Sequence, residues 1–316
     1  MNTNMERMKE LVSLLNKAGK AYYQDAKEIM SNFEYDKLYD ELLALEKEEG
    51  VVLSNSPSIN VGYEVLSELP KERHAQPMLS LDKTKEAEQL KNWLGTQKGL
   101  LSWKLDGLTI VLTYEGGKLV KAVTRGNGEI GEVITNNAKV FKNVPLEISY
   151  KDTLILRGEA IIKYSDFEKM NQTIEAVDAK YKNPRNLCSG SVRQLNNEIT
   201  AQRNVHFFAF NLVQADNVDF KNSRLEQINW LRSLGFDVVE NKEVTSSTMD
   251  EAVAYFAKAI ETYDLPSDGL VLALDDIAYG RSLGTTAKFP RDSIAFKWRD
   301  EIKETTLTEI EWSASR

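Results

Sequence analysis

Two alternating apolar runs, residues 108–114 and 118–123, flank Glu115-Gly116-Gly117, and this pattern constrains the fold more than any other stretch of the chain. Alternation with a period of two suits strands with one covered face, and paired glycines supply the positive φ that a tight hairpin turn needs. A β-hairpin is therefore predicted here. Ser102-Trp103-Lys104-Leu105-Asp106-Gly107 enters it as a turn, and Thr124-Arg125-Gly126 leaves it. Lys104 and Arg125 should then converge at one end of the ribbon. Two crowded cations disfavour a protonated amine and leave more of its nucleophilic neutral form. Asp106, two residues along the same pleat, should point to the same side and hydrogen-bond a sugar or orient the amine. Lys104 is the expected covalent nucleophile. The bland alternative is a surface lysine ahead of a hairpin, and Lys-x-Asp-Gly is too short to decide between them alone.

Composition removes several chemistries. Cys188 is the only cysteine, so the chain builds no disulfide framework and no cysteine-based zinc site. His74 and His206 are the only histidines, which disfavours histidine-rich metal sites and most histidine-dependent triads. No metal-ligating residue is expected among the site residues. A net charge of −8 argues against a globally basic nucleic-acid binder but leaves room for a local basic face. No apolar run reaches the length of a membrane span, and residues 1–7 lack a signal-peptide pattern, so a cytoplasmic protein is expected.

In chain order, residues 4–24 carry Leu11, Leu14, Leu15, Ala18 and Tyr22 at helical spacing. A second helix is predicted from the capping box Ser31-Asn32-Phe33-Glu34 to Gly50. Tyr22, Tyr23, Tyr35 and Asp36 cluster at this junction, either packing a helical hairpin or forming a pocket for a flat cationic ring. Ser56-Pro57-Ser58 and the Gly62 region read as a linker. Helices are predicted near 85–95, 165–175 (capping box Ser165 to Glu168), from Asn183-Pro184, over 224–234 and over 250–263. Strands are predicted over 153–162, 205–213 (buried), 269–274 and 293–298. Short strands mixed with helices, without a regular βαβ rhythm, indicate the α+β class. At 316 residues, about two domains are expected.

The order of the short motifs says more than any one of them. Lys104-x-Asp106-Gly107, Thr124-Arg125-Gly126-x-Gly128, Arg157-Gly158-Glu159, Asp268-Gly269-Leu270-Val271 and Ala295-Phe296-Lys297 resemble the ordered motifs of covalent nucleotidyltransferases. Together with Ile134-Thr135-Asn136, Asn183-Pro184-Arg185-Asn186, Gly190-Ser191-x-Arg193-Gln194-Leu195 and Glu34-Tyr35-Asp36-x-Leu38, they most resemble bacterial NAD-dependent DNA ligases across essentially the whole chain.

The resemblance implies a small helical subdomain over 1–68 that grips nicotinamide mononucleotide, followed over 69–316 by a nucleotidyltransferase (adenylation) domain. It implies that Lys104 attacks NAD to form lysyl-AMP, with Asp106 as its catalytic partner and Mg²⁺ as a cofactor. NAD would be held by Tyr22, Tyr35, Asp36, Ser80, Leu81, Arg125, Glu159 (at the ribose), Phe210 (stacked on adenine) and Lys297 (at the phosphate). Arg185 and Arg193 would meet phosphates of nicked double-stranded DNA, and a monomer is expected. The family continues into further DNA-binding domains, so the chain reads as a fragment.

The sequence departs from the family where glutamate is usual at Ser102, histidine at Tyr23, aspartate at Asn32, lysine at Ala273 and tryptophan at Asp292. These departures motivate an alternative, a weakened paralogue that only binds nucleotide or DNA. An ATP-dependent ligase or capping-type enzyme is a third reading, for which the Tyr22–Asp36 segment has no use.

Overall fold

The computed structural model describes residues 3–23, 30–53, 56–58, 69–172, 181 and 183–298, the side chains of 19–23, 32, 33 and 36 aside. The chain is α+β, with a helical head followed by mixed sheets and helices. Helices α1 (Thr3–Tyr23) and α2 (Asn32–Glu49) form the head. The expected capping box is present: the Glu34 amide donates to Ser31 Oγ at 3.2 Å, and the Ser31 amide donates to Glu34 Oε2 at 3.0 Å. Met8, Leu11, Val12, Leu15, Leu42 and Leu53 make a core of their own. Ser56, expected in a linker, is instead fully buried, with its hydroxyl donating to Glu46 of α2.

The remainder carries strands β1 (Lys71–Arg73), β2 (Asp82–Thr84), β3 (Gly99–Leu105), β4 (Leu108–Glu115), β5 (Lys118–Thr124), β6 (Ile130–Glu132), β7 (Leu154–Ile161), β8 (His206–Ala215), β9 (Asn241–Val244), β10 (Ser267–Leu274) and β11 (Ser293–Phe296). One sheet runs β2-β11-β10-β3-β9 and another β5-β4-β7-β8, while β1 pairs with β6. The predicted hairpin is β4–β5, and Gly116 and Gly117 both take positive φ.

Lys104 does not lie in a turn before this hairpin. It sits on β3, in the other sheet, and the chain crosses between sheets at Asp106-Gly107. That crossing is tight: a Cβ at Gly107 would lie 2.0 Å from the Ala160 carbonyl oxygen, so the position admits no side chain. The inner faces of the two sheets meet. Leu100 of β3 joins the core of the four-stranded sheet, and Ile161 of β7 joins the core of the five-stranded one.

Two further expectations differ from the structure. The helix Tyr164–Gln172 is not opened by a Ser165–Glu168 box, because the Ser165 amide and hydroxyl both donate to the Asp264 carboxylate. Strand β8 is buried on one face only; Phe207, Ala209 and Leu212 point to the core, whereas Phe210 is exposed. The helix Pro184–Val192 starts as its sequence predicts, with Asn183 Oδ1 accepting from the Asn186 amide at 2.8 Å.

Replacing Gly107 by alanine forces the two sheets apart at the crossing. The expected loss is about 1–3 kcal/mol, the usual cost of overpacking, seen as a lower melting temperature. A variant that melts with the parent would show that this crossing has slack.

Candidate active site

Alternation on β3 aims the candidate nucleophile. Leu101, Trp103 and Leu105 enter the core of the five-stranded sheet, and Trp103 stacks on Tyr263 at 4.3 Å and donates through Nε1 to Glu240 at 2.9 Å. Ser102 and Lys104 are thereby turned to the inner face between the sheets. The end of β3 is tied to β10, since Asp106 N donates to the Pro266 carbonyl and Ser267 Oγ to the Lys104 carbonyl. A register shift between Ser267 and Leu270 then re-aims Asp268.

Asp268 is the centre of the cluster. Lys104 Nζ donates to its Oδ1 at 2.7 Å and Lys297 Nζ to its Oδ2 at 2.8 Å. Burial works to raise this carboxyl, but the hydrogen bonds and charges of the two lysines outweigh it and hold it below the usual carboxylate range. The expectation of two cations crowding Lys104 is corrected in both parts. The group that meets the amine is a carboxylate, and the second cation is Lys297 rather than Arg125. Arg125 donates to the Met78 carbonyl and, at 3.1 Å, to Ser80 Oγ.

Asp106 is also corrected. It lies beyond the end of β3, and its carboxylate accepts from Arg185 Nη1 at 2.8 Å rather than from Lys104. Glu159, on β7, accepts from the Gly107 amide at 3.1 Å and from Thr109 Oγ1 at 2.8 Å. Burial pushes its carboxyl up to about 7, against the opposing pull of those two donors and of the Lys104 and Arg185 charges. Phe210 is exposed beside this face, and Leu81 is half-buried just before β2, which pairs with β11.

The other expected residues divide. Tyr35 packs against the head core and stacks on Tyr39 at 6.2 Å. The side chains of Tyr22 and Asp36 lie outside the described residues. Arg193 is held by Glu132 and Ser189, whereas the Arg185 side chain is 60% exposed. Sequence reasoning passed over Asp268 as a ligand of Lys104; its signal was the Asp-Gly pair opening a strand, where only a bulge lets the carboxylate reach sideways. Among the described residues no group of three His, Cys, Asp or Glu side chains could hold a metal ion.

A family described as NAD-dependent DNA ligase adenylation domain matches residues 66–301. The chain belongs to this family. A second, described as DNA ligase-like, N-terminal NAD+-binding domain, matches residues 1–62. The DNA ligase of Ruminiclostridium cellulolyticum is 71% identical over all 316 residues, which cover 48% of that protein. The DNA ligase of Lachnoclostridium phytofermentans is 66% identical over the same span, again 48% of its length. The chain thus spans about half the length of these curated relatives. The solved mycobacterial DNA ligase D complexed with ATP and MES aligns with 74% of this chain and 62% of its own at 13% identity and a TM-score of 0.40, a loose likeness.

In this adenylation domain, the raised carboxyl of Glu159 makes a signed prediction. Its folded-state proton affinity exceeds that of the unfolded chain, so ionising it opposes folding. The penalty is absent below the ordinary carboxylate range, grows as pH rises toward 7 and is complete above it. Glu159→Gln should therefore gain stability relative to the parent at pH 8, by at most about 3 kcal/mol, with the gain vanishing toward pH 4. Denaturant titrations at both pH values check this, and a gain that grows on acidification would contradict it.

Proposed function

We propose that this chain carries the first half-reaction of nick sealing, in which Lys104 takes AMP from NAD. The Lys104 lone pair attacks the adenylyl phosphorus, a P–N bond forms, and the P–O bond to nicotinamide mononucleotide breaks, its electron pair leaving with that product. Lys104, an ammonium while it is paired with Asp268, gives up one proton to water before it attacks, and the second proton passes from the attacking nitrogen to water as the P–N bond forms. The observation that carries this reading is the Lys104–Asp268–Lys297 cluster, in which two amines share one carboxylate and leave one positive charge in excess. Such a surplus suits an incoming phosphate, whose developing charge calls for cations held in place.

Asp268 holds the nucleophile rather than taking its proton, because a carboxyl held below its usual range is a weak base. Lys297 meets the phosphate. Arg125, whose guanidinium donates to the neutral oxygens of Met78 and Ser80, keeps a charge available on the opposite side of the nucleotide. Ser80 and Leu81 line the site beside it, Glu159 takes a ribose hydroxyl, and Phe210 covers the adenine. Asp106 orients Arg185 at the edge of the site, where Arg185 meets DNA phosphate, as does Arg193.

The head, residues 1–68, holds the nicotinamide mononucleotide half through Tyr22, Tyr35 and Asp36, and residues 69–316 take the AMP. The separate core of α1 and α2 supports that division. Among the described residues no set of side chains would hold a magnesium ion on its own, so magnesium would have to be held largely by the dinucleotide's phosphates, where it would supply positive charge. Nicked double-stranded DNA is the later AMP acceptor, and the chain acts as a cytoplasmic monomer. The buried thiol of Cys188 fits a reducing compartment, and no described helix is long and apolar enough to cross a membrane.

Incubation with NAD followed by intact mass measurement should show the gain of one adenylyl group, lost in Lys104→Ala. No gain at any pH would sink this reading. A gain with ATP but not NAD would move the protein to the ATP-dependent enzymes.

A further inference from the structure

The inner face of β7 holds a cation that the half-reaction above leaves unused. Arg157 precedes Glu159 by two residues, so the pleat sends both side chains to the same side. Its cross-strand neighbours are Val111 on β4 and Asn211 on β8. Pairing of Arg157 with Asn211 but of Gly158 with Ala209 leaves Phe210 as the extra residue of a bulge, which bends the strand and displays its ring.

Arg157 Nε is buried without a hydrogen-bond partner, and among the described residues no carboxylate, carbonyl or hydroxyl receives the rest of the guanidinium. Burial alone pulls this group below the usual arginine range, with no neighbouring charge opposing it. Arg157 is half-buried, with its Nε sealed from solvent, and a partly desolvated cation without a partner is costly. The facing wall offers no charge to pair with it. Ser102 Oγ points toward the Val271 carbonyl at 3.4 Å, and Ala273 has no polar side-chain atom.

Position along the strand indicates which part of a nucleotide reaches Arg157. Lys104 and the Gly107 crossing mark the phosphate end, and Glu159 pairs across from Thr109 just inside it. Arg157 lies about 7 Å further along β7, two residues at roughly 3.3 Å each. The base is the portion of AMP furthest from the reacting phosphorus.

We propose that Arg157 is a specificity-determining residue, its guanidinium donating to a ring-nitrogen acceptor on the purine edge of the AMP donor while Phe210 covers the ring face. This rests on the reading of Lys104 as the AMP acceptor. Arginine lends itself to the task because its donors are fixed in a planar fork and can lie in the plane of the base.

The test follows adduct formation by intact mass as the donor concentration is varied. Parent, Arg157→Gln and Arg157→Lys proteins are compared with NAD and with donors whose adenine carries CH in place of N at position 1, 3 or 7. Arg157→Gln should raise the half-saturating NAD concentration at least about tenfold, the worth of one hydrogen bond to a charged group, with the limiting rate much less affected. Arg157→Lys should recover part of the loss. One of the deaza donors should lose the same factor with the parent and nothing further with Arg157→Gln, a non-additivity that a merely structural role would not produce. An unchanged half-saturating concentration, or equal losses by Arg157→Gln with every donor, would overturn the proposal while leaving Lys104 as the acceptor. If Arg157→Gln fails to fold, the parent alone decides, because equal use of all three deaza donors and NAD refutes the contact. Absence of any adduct in the parent removes both readings together.

Discussion

One carboxylate holds the site together. Asp268 sits where β10 bulges, and it binds an amine from β3 on one oxygen and an amine from just beyond β11 on the other. Without it, two ammonium groups would face each other in a partly buried cleft, where repulsion is far stronger than in water. With it, the ends of three neighbouring strands are pinned to a common point. The same bonds define the resting chemistry: the candidate nucleophile is restrained by its counter-charge and not activated by crowding. In the proposed half-reaction an entering phosphate would compete with Asp268 for the two amines, so that substrate binding and release of the nucleophile would be one exchange of partners.

That exchange depends on the crossing between sheets. Gly107 lets the chain pass against the Ala160 carbonyl, and its amide then donates to Glu159, which also receives Thr109. The two walls are therefore registered against each other by a carboxyl that burial pushes to about 7. The tension in Glu159 is a cost in stability retained at the site, a pattern common where polar groups must await a ligand. The cleft becomes asymmetric as a result, with restrained lysines at the mouth and an unpaired guanidinium further in.

Much of this organisation was legible in the sequence, and the failures have physical causes. The hairpin, the Ser31–Glu34 box and the Asn183-Pro184 helix start are local devices, and local devices survive folding intact. β3 was missed because its alternation, Leu101, Trp103 and Leu105 against Ser102 and Lys104, is short, is preceded by Leu100 and Leu101 entering different cores, and runs straight into Asp106-Gly107, which reads as a turn. The Lys104–Asp268 pair joins residues 164 apart in the chain and exists only because β10 lies beside β3. The motif order pointed to Lys104, Glu159 and Lys297, but not to which acid would hold which base. The Ser165 box failed for a related reason, since Asp264, remote in sequence, took the place of Glu168.

The departures from the family pattern also read differently once the register is known. Ser102 lies opposite Val271, which makes Ala273 its diagonal neighbour on the same inner face, a separation that long side chains span. Glutamate at 102 and lysine at 273, the residues usual in the family, would therefore be within reach of each other, and this chain carries neither. Replacing only one would have stranded a charge between the sheets, at a cost of several kcal/mol. Asp292, another departure, is likewise compensated, because Arg224 donates to its carboxylate at 2.9 Å. The inner end of the cleft in this chain therefore has no charge at 102 or 273 on the β3–β10 wall to meet Arg157 of β7, whereas at the other end Lys104 and Lys297 both reach Asp268.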